Sequence, residues 1–141
     1  MYKLGKRSQS ELIGVHPVLA FAVIEAIKIT KQDFMVLDGL RTIKEQRKLV
    51  DRDVSKTMNS YHLYGLAVDL VAYVDGKPSW GNDYYRDIAD AMKTIIKKHN
   101  LPIDWGHDLW QWDSPHWQIS KFDNKDARNI YDARKILKYK G

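Results

Sequence analysis

The run Leu66-Ala-Val-Asp-Leu-Val-Ala-Tyr73 constrains this chain more than any other, because it places one charge, Asp69, among seven apolar residues. Near-continuous hydrophobicity of this kind predicts a strand at the centre of a sheet. An unpaired carboxylate buried there is costly enough that it needs a positive or hydrogen-bonding partner. Strand alternation puts Ala67, Asp69 and Val71 on one face, and the small Ala67 leaves room beside the carboxylate. Gly65 allows a turn just upstream, so His62 can fold back over that face. Two readings remain open at this point: a buried Asp–His pair, or part of a site.

The rest of the chain supplies elements for such a sheet. Ser8-Gln-Ser-Glu11 has capping-box spacing and predicts a short helical turn starting there. Pro17 fits the first turn of a second helix, in which Val18, Leu19, Ala22, Val23, Ala26 and Ile27 recur at three- and four-residue spacing. Phe34 to Leu37 reads as a buried strand, and Thr42 to Asp51 as a surface helix. A polar loop is expected from Asp53 to Tyr64, and Asp75-Gly76 is a hairpin signal. Asn82 is the expected cap of a helix reaching about His99, with Ile88, Met92, Ile95 and Ile96 as its stripe. Ile103 to Trp105 and His116 to Ser120 are strand candidates joined by an aromatic loop, Trp105 to Trp112. Asp123 is placed to cap a last amphipathic helix. Helices followed by irregularly alternating strands and helices imply an α+β fold with a small, mainly antiparallel sheet and flanking helices. Residues 1–120 form the expected catalytic domain, with residues 121–141 a basic helix appended to it.

A second constellation is Asp113-Ser-Pro-His116. His116 opens a strand, and Pro115 fixes the turn that brings Asp113 close to it. The chain has no cysteine, so disulfides, zinc ribbons and thiol nucleophiles are excluded, and any metal must be held by His and carboxylates. Three such ligands with one open position make a catalytic zinc site, and His62, Asp69 and His116 supply them. Asp113 is left over as a general base.

Ser60 to Asp69 matches the SxHxxGxAxD motif of the M15 zinc peptidases at every fixed position, and Asp113 with His116 fits their later Asp-x-x-His. Asp38-Gly-Leu-Arg41-Thr resembles the family's upstream Gly-x-Arg segment. The resemblance, over roughly Gly5 to Ile119, is strongest to the L-alanyl-D-glutamate endopeptidases that bacteriophages use as endolysins. It implies one zinc per chain on the sheet face, an Arg41 that contacts substrate near the scissile carbonyl, and peptidoglycan as substrate. Ser60 is expected to orient substrate or the His62 loop. His107 and Trp110 lie in the segment leading to Asp113 and are further candidates for substrate contact. Trp105-Gly-His-Asp-Leu-Trp110 departs from the group's Trp-Gly-Gly-Asp-Trp by His107 and one inserted residue. The alternatives are a D,D-carboxypeptidase or dipeptidase of the same family, or a wall-binding module without catalysis.

Net charge is +5, and residues 121–141 hold seven Lys and Arg against three Asp. This basic tail suggests contact with an anionic wall polymer or membrane surface, with a solvated or packed helix as the competing account. Its interleaved Asp residues and the lack of a nucleic-acid motif argue against nucleic-acid binding. A monomer is expected. The most apolar stretch, Val15 to Ile29, is broken by His16, Pro17, Glu25 and Lys28, so no membrane span is expected. No Sec-type signal is legible behind Met1. Synthesis in the host cytoplasm and export through a separate pore protein are therefore expected.

Overall fold

The apolar run forms β2 (Ala67–Val74), and both of its edges are taken. The computed structural model, which describes residues 1–55 and 60–120, pairs β2 with β1 (Phe34–Asp38) on one edge. On the other edge, β5 (His116–Ile119) pairs with its first half and β3 (Lys77–Ser79) with its second. β4 (Ile103–Trp105) adds outside β5, giving five strands with every pairing antiparallel. Asp75 and Gly76 both take positive φ between β2 and β3, as a tight hairpin turn of the primed type requires.

The two faces of β2 have different fates. Val68, Leu70 and Ala72 join Trp117 and Ile119 of β5 against α2 (Pro17–Ile29) and α4 (Asn82–His99), and this is the core. Leu19, Ala22, Val23, Ala26 and Ile27 of α2 are buried in it, as are Ile88, Met92 and Ile95 of α4. Each fully buried Leu, Ile or Met contributes about 1.5–3 kcal/mol, so this helix-covered face dominates the stability. The opposite face carries Ala67, Asp69, Val71, His116 and Gln118. The expected fold class is therefore borne out.

Local signals differ in how well they survive. Pro17 occupies the first turn of α2, and His16 is structural, its Nδ1 accepting from Val18 N–H at 3.1 Å. Thr42 and Glu45 form a reciprocal capping box at the start of α3 (Ile43–Asp51). Ser8 does not cap. It lies inside α1 (Lys6–Glu11), which begins after Gly5, and its buried hydroxyl accepts from Val36 N–H at 2.9 Å. Asn82 is likewise the first residue of α4, with Gly81 as its cap and no capping side chain. Trp105 to Trp112 is not all loop, because Gly106–Trp110 forms the short helix α5. The tail helix expected from Asp123 and residues 56–59 of the polar loop lie outside the described residues. Among the described residues no helix is long and apolar enough to cross a membrane.

Candidate active site

Antiparallel register sets Asp69 of β2 directly opposite His116 of β5, so their side chains share the face of the sheet turned away from the helices. His62 arrives from a 3-10 turn, Tyr61–Tyr64, which Gly65 ends in the left-handed conformation. Ser60 caps that turn, its Oγ accepting from His62 N–H at 3.2 Å. His62 Nε2 and His116 Nδ1 each lie 3.4 Å from Asp69 Oδ1. One ligand atom from each of the three residues falls within 4.8 Å of the others, a spacing that can hold a metal ion.

Both imidazoles are oriented from behind. His62 Nδ1 is 2.8 Å from the Gly39 carbonyl, so that nitrogen carries a proton and Nε2 is the nitrogen that can offer a lone pair to a metal. His116 Nε2 is 2.9 Å from Gln118 Oε1, which assigns the opposite tautomer and frees Nδ1. Outer partners of this kind fix the rings of metal-binding histidines. Gly39 cannot be replaced without movement, because a Cβ there would lie 1.9 Å from the Glu11 carbonyl oxygen.

A register shift in β1 between Val36 and Asp38 brings Asp38 opposite Asp69, and Arg41 lies between the two carboxylates. Arg41 Nε donates to Asp38 at 2.8 Å, while its Nη2 lies 3.7 Å from Asp69. Burial opposes ionisation of Asp69, but the charge of His62 and hydrogen bonds from His116 and His62 hold its carboxyl far below the usual range. Burial also opposes protonation of His116, yet its hydrogen bond and charge contact with Asp69 raise its pKa.

Asp113 borders the same cleft, a cavity of about 850 Å³. Its backbone is in the left-handed region at φ 56°, a strained choice for a residue other than glycine. The loop is held by Trp105 Nε1–H donating to the Ser114 carbonyl at 2.7 Å and by His116 N–H donating to the Asp113 carbonyl. Gly106 is needed beneath it, since a Cβ there would lie 2.6 Å from the Asp113 carbonyl oxygen and 2.9 Å from His116 Cβ. Burial pushes the Asp113 carboxyl above the ordinary range, with His116 opposing and Asp69 adding to the shift.

The fold thus brings together Arg41, Ser60, His62, Asp69, Trp110, Asp113 and His116, all of which line the cleft. Trp110 also approaches His116, ring centroids 5.5 Å apart. His107 is not among the lining residues. Its ring packs on Trp105 at 4.8 Å, and Trp105 in turn stacks on Trp117 and lies under Lys93 of α4. His107 lies within α5 (Gly106–Trp110). Sequence reasoning missed Gln118, the Gly39 carbonyl and the outer wall of Leu49 and Val54. The spacing of Gln118 two residues after His116 was the available signal, readable only once both lie on a strand.

A family model described as phage L-alanyl-D-glutamate peptidase matches residues 1–136. The chain belongs to that family. The L-alanyl-D-glutamate peptidase of Escherichia phage T5 is 25% identical over 137 residues, 94% of either chain. Peptidoglycan L-alanyl-D-glutamate endopeptidase CwlK of Bacillus subtilis strain 168 is 28% identical over 122 residues, covering 74% of this chain and 73% of its own. The crystal structure of the Serratia marcescens L-Ala D-Glu endopeptidase ChiX superimposes with a TM-score of 0.75 at 37% identity, covering 82% of this chain and 87% of that one. The resemblance to the phage endopeptidases read from the motifs is borne out.

Proposed function

We propose that the cleft hydrolyses the amide between L-alanine and D-glutamate in the peptide stem of peptidoglycan, with one zinc ion held by His62, Asp69 and His116. The convergence of two oriented imidazoles and a carboxylate beside a separate, proton-accepting carboxylate carries this reading. The donor set fits a hydrolytic zinc site, which uses three N and O ligands from the protein. When bound, zinc supplies Lewis acidity and makes water nucleophilic at neutral pH.

The chain's own residues do the rest. Asp113 accepts a proton from the attacking water and delivers it to the departing amine, a task suited to a carboxyl raised above its ordinary range. Arg41 offers a fixed positive charge where the scissile carbonyl oxygen becomes negative, and such preorganised charge acts mainly on the transition state. Ser60 holds the turn that carries His62. Trp110 and Trp112, both exposed and lining the cleft, offer flat apolar faces to the stem. His107 has no part in this reading. Asp113 also speaks against a purely wall-binding module, since a closed structural site has no use for a base.

The same reading makes the protein a monomer synthesised in the host cytoplasm that reaches the wall through a pore made by another protein. Residues 121–141, rich in Lys and Arg, touch anionic wall or membrane components in a salt-sensitive way. Mass spectrometry of fragments released from purified peptidoglycan tests the bond. New N-terminal D-glutamate is the expected product. Release of D-alanine alone would overturn the proposal in favour of a carboxypeptidase.

A further inference from the structure

Gln46 is fully buried on α3, a helix whose other side chains are mostly charged and exposed. A primary amide in the interior must find partners for its carbonyl and its amine. Gln46 finds them at the edge of the cleft. Its Oε1 accepts from Arg41 Nη1 at 2.7 Å, and its Nε2 donates to Ser55 Oγ at 2.9 Å. Asp38 accepts from Nε and Nη2 of the same guanidinium, so Arg41 is gripped on two sides. Arg41 N–H also donates to the His62 carbonyl at 2.9 Å, which ties this segment to a metal-group residue.

We infer that Gln46 is a positioning residue, which holds the Arg41 guanidinium in register with the metal group and links that orientation to Ser55 on the cleft wall. Asp38 alone fixes one edge of the guanidinium and leaves the plane free to swing about it. Gln46 supplies the second anchor from a helix whose own first turn is locked by the Thr42–Glu45 capping box. The inference rests on the role proposed above for Arg41. A guanidinium acting on transition-state charge must be in place before charge develops, so loss of its anchor lowers kcat more than it raises KM.

The test is steady-state hydrolysis of a soluble stem peptide by the full chain carrying Gln46→Leu, Gln46→Glu, Arg41→Lys, or Gln46→Leu with Arg41→Lys. Gln46→Leu is expected to lower kcat about tenfold or more, the scale of a misplaced catalytic group, with KM changed by less than about twofold. Gln46→Glu keeps an acceptor for Nη1 and recovers most of that loss. Arg41→Lys is slow by itself, because an ammonium lacks the planar fork. The double variant is no slower than Arg41→Lys, since both changes act through one group. Wild-type kcat in Gln46→Leu beside a slow Arg41→Lys overturns the inference alone, as do losses that multiply in the double variant. Wild-type kcat in Arg41→Lys overturns the role of Arg41 and this inference together. Where leucine lowers the melting temperature too far, Gln46→Met, of similar length, makes the same comparison.

Discussion

Asp69 and Asp113 are carboxyls in one cleft whose surroundings push them in opposite directions, and that separation assigns their work. Asp69, facing two imidazoles, stays ionised and suits a metal ligand. Asp113, raised by burial, suits a group that takes up and releases a proton. Asp113→Asn should therefore fold, keep its metal by elemental analysis, and lose hydrolysis of a soluble stem peptide by about two orders of magnitude or more, the range of general-base removal. A variant near the wild-type rate would remove Asp113 from the mechanism. These acids were legible in the sequence for a physical reason: a charge inside an apolar strand has to be explained, and Asp113 stands three residues before a histidine. The groups that orient the imidazoles were not legible. A carbonyl such as that of Gly39 carries no residue identity, and Gln118 gains meaning only from the strand register.

Elements were readable where the signal was local and misread where a distant partner took it over. Periodicity found α2 and α4, and the charged run with its apolar side found α3, because those signals are satisfied within one helix. Ser8 looked like a cap, yet its hydroxyl is used 28 residues away at Val36. The Asp38-Gly-Leu-Arg41 turn is the counterpart at the site: its glycine is required by the approach of α1, not by its own φ. Gly39→Ala must push α1 and β1 apart, and overpacking of this kind costs about 1–3 kcal/mol or more. It should also weaken metal binding, because the displaced carbonyl orients His62. Gly5→Ala, where a new Cβ meets nothing within 4 Å, is the control. Urea denaturation and competition with a chelator measure the two effects, and equal behaviour of the two variants would refute the argument.

At the scale of the whole molecule, the metal group is a clasp between parts of the chain that meet only in the folded state. His62 comes from a turn, Asp69 from the central strand and His116 from its neighbour. A metal that binds this arrangement and not the unfolded chain stabilises it by about 2.7 kcal/mol at a hundred times its Kd. For a chain of this size that is a rise in melting temperature of roughly 10 °C. The stabilisation should depend on pH in a definite direction. Asp69, with its pKa depressed, is ionised throughout the working range and does not compete. His116, with its pKa raised by Asp69, binds a proton in the metal-free fold more readily than an ordinary histidine. Its contribution to the metal-free fold is present below its unfolded pKa and is lost as pH rises through the folded value. Metal needs the neutral imidazole, so its binding displaces that proton and strengthens with pH until the raised pKa is passed. The difference in melting temperature between zinc-loaded and chelator-treated protein is therefore expected to widen from mildly acidic to neutral pH and then level off. His116→Ala should abolish the difference at every pH, and a gap that stays constant across the acidic range would show that His116 does not bind the metal.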